Sequence, residues 1–256
     1  MKLQRYKRDS EVSYAFGATL VAELLKTHPD TIMRVFLRPA DKYGADLQRI
    51  LDELKNRNIE IIESTKAFNI LGAKENCLLI AEFDKIPHAS DEMIDYDNDP
   101  YARSVILVNP SDTGNLGTIM RSAAAFGYGR IVIVNPGVDP HDPKVIRASM
   151  GAYFHLQIET VNSIDELVLE PGAIAFVLDE NAISLDEIAP RYNIGNGAVP
   201  DLIFGNEATG LPKDFCAKTG ATPVIIPQTD SVDSLNLGVA ASIALYTFRR
   251  IPKIIL

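Results

Sequence analysis

From Ser104 onward the chain repeats one pattern: a brief run of β-branched and aliphatic residues, then a longer segment, then another run. The runs are Val105–Val108, Ile131–Val134, Ile174–Leu178, Leu202–Phe204 and Val224–Ile226. They are apolar at successive positions rather than alternate ones. A strand covered on both faces reads this way, as in a parallel sheet flanked by helices, whereas a half-exposed antiparallel strand alternates. Helical patterns fall between the runs. Leu116–Phe126 turns Leu116, Met120, Ala123 and Ala124 inward and stops at Gly127. Leu235–Arg250 is the longest, with a stripe at Leu235, Val239, Ile243 and Tyr246, and with Arg249 and Arg250 at the end where cations suit the helix dipole. The fold class is α/β.

The first hundred residues alternate helix and strand patterns on a smaller scale. Thr19–Thr27 places Leu20, Leu24 and Leu25 on one helical face, and Ile32–Leu37 reads as a strand. Gly44–Asn58 repeats Leu47, Ile50, Leu51 and Leu54 at helical spacing. Ile59–Ile62 is a second strand, and Cys77–Phe83 a third. Pro87–Pro100 has no periodicity and is rich in acids, which marks a junction. The expected layout is a small α/β domain over residues 1–90, an acidic linker over 91–103 and a larger α/β domain over 104–256.

A net charge of −9 argues against a nucleic-acid partner, because phosphate contacts need Lys and Arg. Its distribution weakens that objection. Acid and base nearly balance up to Glu82, and much of the excess lies in Asp84, Asp91, Glu92, Asp95, Asp97 and Asp99 against Lys85 alone. Lys2, Arg5, Lys7 and Arg8 make the start of the chain locally basic, either a solvated end or a contact for a phosphate backbone. No apolar run approaches the roughly 20 residues needed to cross a bilayer, and no secretion signal is visible. Cys77 and Cys216 stand far apart without metal-type spacing, and His28, His88, His141 and His155 show none either. The expectation is buried free thiols in a reducing cytoplasm, with no metal.

Three segments set glycines and uncharged hydrogen-bonding side chains immediately after an apolar run. They are Asn109-Pro110-Ser111-Asp112-Thr113-Gly114-Asn115-Leu116-Gly117-Thr118-Ile119-Met120-Arg121, then Phe204-Gly205-Asn206-Glu207-Ala208-Thr209-Gly210-Leu211-Pro212, then Ile225-Ile226-Pro227 followed by Ser234-Leu235-Asn236. Strand tips of this kind are where an open α/β sheet exposes backbone groups to a ligand. In the first, Asn115 sits where a helix N-cap belongs. Arg121 lies among small residues, with Gly117 one turn earlier on the same face, which leaves room beside the guanidinium for a phosphate or ribose. In the second, Gly205 and Gly210 are conformational residues first. Glu207 is either a solvated loop acid or, opposite Arg121, a group that orients the arginine or binds substrate. In the third, Pro227 ends the strand, and Ser234 and Asn236 reach the start of the last helix, as capping residues or as ligands. Gly238, Ala240, Ala241 and Ala244 permit close approach, either of another helix or of a flat ligand. No nucleophile elbow, dinucleotide fingerprint or Walker lysine is present, so these residues alone leave a generic nucleotide-binding α/β domain open.

In order and spacing the three segments resemble the signature motifs of the SpoU/TrmH family of S-adenosylmethionine-dependent RNA 2′-O-ribose methyltransferases. The resemblance runs over nearly all of Ser104–Phe248 and includes Lys144-Val145-Ile146-Arg147-Ala148-Ser149-Met150-Gly151-Ala152. Phe68-Asn69-Ile70-Leu71 and Glu75-Asn76-Cys77-Leu78-Leu79-Ile80-Ala81 look like the ribosomal-protein-like RNA-binding domain often found ahead of it. The resemblance implies a SPOUT-type fold, a mostly parallel sheet with a C-terminal trefoil knot, preceded by a small α/β RNA-binding domain. It implies a cytoplasmic homodimer with paired sites at the interface and S-adenosylmethionine held by backbone groups at Gly205, Ile226 and Leu235, with Leu178 near. Asn115, Arg121, Glu207, Ser234 and Asn236 match catalytic or substrate-binding positions of the family. The leading domain favours ribosomal RNA, of the 23S type, as substrate; a transfer RNA enzyme and a non-catalytic RNA-binding homologue are the rival readings. Arginine stays protonated, so Arg121 is expected to grip a phosphate and steady the developing alkoxide rather than act as base. Two departures stand out. The family reads Ile-Pro-Met and then Gly at the third motif, where this chain has Gln228 after Ile226-Pro227 and Asp230 at the glycine position.

Overall fold

The computed structural model describes residues 3–86, 103–192 and 199–249. The predicted junction Pro87–Pro100, nearly all of the linker 91–103, His88, Lys2 and Arg250 lie outside them. The chain divides into two compact units, one made of the N-terminal segment together with Asp139–His155, the other of the rest.

In the first unit β1 (Val12–Phe16), α1 (Ala18–Thr27), β2 (Ile32–Leu37), α2 (Ala45–Asn56), β3 (Glu60–Glu63), α3 (Thr65–Leu71) and β4 (Leu79–Asp84) follow in order. The strands form a mixed sheet in the order β1-β4-β2-β3, with only the β2–β3 pair parallel. The predicted apolar faces are the buried ones: Leu20, Leu24 and Leu25 on α1, and Leu47, Leu51 and Leu54 on α2. Two elements escape the sequence pattern. Strand β1 buries Ser13 among its apolar residues, and the short α3 buries only Ala67 and Phe68. Asp139–His155 joins this unit through Phe83, whose ring meets Tyr153 and Phe154 edge-on, and through the Ser13 hydroxyl, which donates to the His141 carbonyl at 2.6 Å. Its helix α5 (Pro143–Ala148) is capped by Asp142.

The second unit opens with β5 (Ser104–Val108), α4 (Thr113–Phe126) and β6 (Arg130–Val134). After α5 come β7 (Gln157–Val161), β8 (Ile174–Phe176), β9 (Ile183–Ser184), α6 (Leu185–Ile188), β10 (Leu202–Phe204), α7 (Phe215–Thr219), β11 (Thr222–Ile225) and α8 (Leu237–Thr247). The sheet has seven strands, all parallel, in the order β7-β6-β5-β10-β8-β11-β9. Its core is the set of runs read from the sequence, with Val105, Leu107, Ile131, Ile133, Ile174, Leu202 and Ile203 fully buried. The unpredicted strands β7 and β9 are the two edges, where one side needs no apolar cover and the pattern is mixed. Strand β8 stops at Phe176, short of the expected Leu178.

Helix α8 corrects the sequence reading in a second way. Its stripe faces outward, with Val239 48%, Ile243 37% and Tyr246 54% exposed, while Gly238, Ala241, Ala244 and Leu245 are buried. The helix is apolar on every side, so periodicity could not choose a face; side-chain volume does. A Cβ on Gly238 would stand 3.3 Å from the Thr118 Cγ2 of α4, and the Ser122 and Ser242 hydroxyls meet at 2.7 Å between the two helices. The small residues serve tight α4–α8 packing. At the C-terminal end the Arg249 guanidinium donates to the Tyr246 carbonyl at 2.7 Å.

Candidate active site

Because the strands are parallel, the C-terminal tips of β5, β10, β8 and β11 lie side by side in that order. Three of the tips carry part of a motif, Asn109–Asp112 after β5, Gly205–Gly210 after β10 and Ile226 after β11, and Leu178 follows β8. Pairing of Phe176 with Val224 puts Leu178 and Ile226 at neighbouring positions two residues further on.

Glu207 ties these loops together. Its Oε2 accepts from the Ser111 hydroxyl at 2.6 Å and the Ser111 N–H at 3.0 Å; its Oε1 accepts from the Asp112 N–H and the Asn115 amide, both at 3.1 Å. Asn115 in turn accepts from the Asn236 amide at 2.9 Å. A single carboxylate thus links all three motifs, since Glu207 is in the second, Asn115 in the first and Asn236 in the third. Partial burial opposes its ionisation, but the donors from Ser111, Asn115 and the backbone outweigh that and hold its carboxyl below the ordinary value of 4.5. Asn206 adds a second tie, donating to the Asn109 carbonyl at 2.8 Å while its own oxygen accepts from the Ala208 and Thr209 N–H groups. Asn109 itself adopts φ +55°, a left-handed conformation that asparagine tolerates.

Several expected roles change. The N-cap of α4 is Asp112, whose carboxylate accepts from the Asn115 N–H at 2.7 Å; Asn115 is thereby released to join Glu207 and Asn236. Asn236 does cap α8, accepting from the Val239 N–H. Glu207 makes no ion pair with Arg121: the described ion pairs include neither. Arg121 is exposed, whereas Gly117 is buried, so the missing side chain opens no solvent notch beside the guanidinium. Gly205 is glycine because the chain folds back over it. A Cβ there would stand 2.2 Å from the Gly210 carbonyl carbon, in the narrow turn closed by the Asn206–Gly210 bridge. Only its backbone is left to meet a ligand. Ser234 is exposed, Leu235 and Ile226 are half-buried, and Leu178 is 69% exposed.

Ser111, a donor to Glu207, and Asp112, the cap of α4, have roles that their place in the first motif does not by itself reveal. The available signal was the aspartate placed three residues before Asn115, the ordinary N-cap spacing. Gln228 is a further case. Its side-chain amide donates to the Val232 and Asp233 carbonyls at 3.4 and 3.2 Å, closing the loop that leads to Ser234. Cys77 and Cys216 are free and only partly buried. Among the described residues no helix is long and apolar enough to cross a membrane.

The model of the SpoU rRNA Methylase family matches residues 102–246. The 23S rRNA (guanosine(2553)-2′-O)-methyltransferase RlmP of Bacillus subtilis is 28% identical over 91% of this chain and 86% of its own length. Human mitochondrial rRNA methyltransferase 3 is 26% identical over 57% of this chain, which spans about half of that relative, 46% of its length. The AdoMet-bound rRNA methyltransferase of Sinorhizobium meliloti superimposes with a TM-score of 0.71 and 26% identity, covering 94% of this chain and 87% of that one. AviRb of Streptomyces viridochromogenes, 21% identical, shares the fold with a TM-score of 0.72 over 93% of this chain and 88% of its own. The three motifs gathered at these strand tips fall within the matched region, and the chain belongs to the SpoU rRNA methylase family and is an RNA methyltransferase.

Proposed function

We propose that the chain transfers a methyl group from S-adenosylmethionine to a ribose 2′-OH of ribosomal RNA. The observation that carries this reading is the Glu207–Asn115–Asn236 chain of hydrogen bonds, which gathers the three motifs at adjacent parallel strand tips. Leu178, Ile226, Leu235 and the Gly205 backbone would hold the cofactor. A large leucine left exposed at a strand tip beside half-buried Ile226 suits a flat, apolar adenine face. Strand β11 enters the sheet between β8 and β9, which supports the knotted arrangement inferred from resemblance. When bound, S-adenosylmethionine supplies an electrophilic methyl on sulfur.

The protein must hold the 2′-OH in line with that methyl and stabilise the oxygen as its proton leaves. Arg121 lies six residues beyond Asn115 on α4, about 9 Å along the axis. Exposed and without an acid partner among the described residues, it is available to grip the phosphate next to the reacting ribose. Its guanidinium stays charged, so the proton passes to a phosphate oxygen or water. Asn115 and Asn236, hydrogen-bonded to each other, and Ser234 supply uncharged polar groups for the ribose.

The apolar outward face of α8 (Val239, Ile243 and Tyr246) supports assembly as a homodimer through this helix. The first unit is assigned to RNA recognition, and free Cys77 and Cys216 suit a reducing cytoplasm. Titration calorimetry with S-adenosylmethionine, and 2′-O-methyl mapping of ribosomal RNA with and without the protein, test the reaction. No cofactor binding at millimolar concentration would leave a non-catalytic RNA binder. Single-turnover methylation by Arg121→Lys tests the grip: if most of the rate survives, the fork geometry of the guanidinium is not needed.

A further inference from the structure

Around the loop joining α3 to β4 the first unit gathers cations that form no ion pair among the described residues. The Arg5 Nε donates to the Ile70 carbonyl at 3.0 Å. Arg38 donates from Nε to the Cys77 carbonyl at 2.9 Å and from Nη2 to the Lys74 carbonyl at 3.3 Å, its guanidinium lying 4.4 Å over the Phe68 ring. Lys74 is exposed on the same loop. Arg147 of α5 is close enough for its charge to act on the same loop: burial pushes the Cys77 thiol up, while Arg38 and Arg147 both pull it back down.

Elsewhere in this unit several cations are matched. Lys26 and His155 meet Glu23, Arg34 meets Glu82, Arg49 meets Asp46, and Arg57 meets Glu53. Among the described residues Arg5, Arg38, Lys74 and Arg147 form no ion pair, and the only acid between Thr65 and Leu79 is Glu75. In a chain of net charge −9, four cations gathered around a loop that carries a single acid are a local concentration of positive charge. The loop also fixes their positions. Arg5 spends one donor on a carbonyl of the last turn of α3 and Arg38 two on carbonyls of the loop, so both are anchored with donors to spare, which is the arrangement that serves recognition of phosphate oxygens.

We infer that the surface formed by Arg5, Arg38, Lys74 and Arg147 around the α3–β4 loop binds the phosphate backbone of the RNA substrate. This rests on the RNA methyltransferase reading and adds to it where on the first unit the RNA lies. The contact is made to phosphates, so it positions the RNA without reading its sequence.

The test uses the full chain and a 23S rRNA transcript. Arg38 is left alone because it also supports the loop. The triple variant Arg5→Ala/Lys74→Ala/Arg147→Ala should bind the transcript roughly tenfold or more weaker at physiological salt, with the slope of log K against log salt reduced by about 2 to 3. A control, Lys26→Ala/Arg49→Ala/Lys55→Ala, removes equal charge from α1 and α2 and should change neither quantity appreciably. Equal losses in the two variants, or an unchanged slope in the first, would overturn the assignment. S-adenosylmethionine affinity, measured on the same samples, should match wild type. If wild type itself binds no cofactor, the methyltransferase reading falls, and the RNA slopes still decide whether this surface binds phosphate.

Discussion

Two glutamates, one in each unit, solve the problem of a withdrawn negative charge in opposite ways. Glu82 sits within β4 at 2% exposure, bonded to Arg34 of β2 and to the Tyr14 hydroxyl of β1 at 3.2 Å. All three stand opposite one another in strand register, so the charge is neutralised inside the sheet. Burial and the neighbouring Glu82 both push the Tyr14 phenol up, which keeps it a donor. Among the described residues Glu207 pairs with no cation. It is held by hydroxyl, amide and backbone N–H dipoles drawn from loops. An ion pair of the first kind stabilises a sheet and ends there. A carboxylate of the second kind organises loops from separate motifs without drawing on Arg121.

The hardest test of the loop arrangement is Gly205→Ala. Its Cβ would overlap backbone, at 2.2 and 2.3 Å from Gly210 and Leu211 atoms that no side-chain rotation can relieve. We expect about 3 kcal/mol or more of destabilisation, read by thermal melting, with methyl transfer lost. Near-normal melting would mean that the turn carrying Glu207 is far softer than drawn.

Arg34→Met comes next and breaks the other glutamate. It strands a buried carboxylate and should cost about 3 kcal/mol in denaturant unfolding of the first unit, with cofactor affinity retained. A cost below about 1 kcal/mol would show that Glu82 is balanced by Tyr14 alone.

Glu207→Gln replaces an acceptor oxygen by a donor amide facing donors. About 2 kcal/mol of loop order, roughly 30-fold in single-turnover rate, should be lost with little change in melting. The same group has a pH signature. Because its folded pKa lies below the ordinary 4.5, its contribution is complete above that value and fades as pH falls through the lowered one. Protection of the Ser111 and Asp112 amides from exchange, taken relative to their intrinsic rates at each pH, should therefore fall only in acid, and in Glu207→Gln it should be low throughout.

Smallest is Gln228→Met, which restores the family residue and removes two exposed bonds to Val232 and Asp233. Cofactor affinity should weaken roughly threefold, and unchanged affinity would show that the loop is held by its backbone alone.

Much of this was legible beforehand. The runs at Val105, Ile131, Ile174, Leu202 and Val224 became central strands because burial on both faces leaves an uninterrupted apolar signature. Gly127 closes α4 with φ 84°, as its position after a helical stripe implied. Strands β7 and β9 were missed because edge strands carry mixed patterns, and β1 because it buries a serine. The outward face of α8 was unreadable, since a helix apolar on all sides has no preferred direction until a neighbour is present.

The sequence by itself determined the parallel core, the family and the three motif segments, because hydrophobic periodicity and residue spacing are properties of a linear chain. Only the tertiary structure decided that Asp112 caps α4 while Asn115 turns to Glu207 and Asn236, that Gly205 is small to admit Gly210, and that Asp139–His155 packs with the N-terminal segment. Each of these depends on which distant backbone arrives at a given strand tip, and strand order in space, unlike strand identity, is not written in any local stretch of residues.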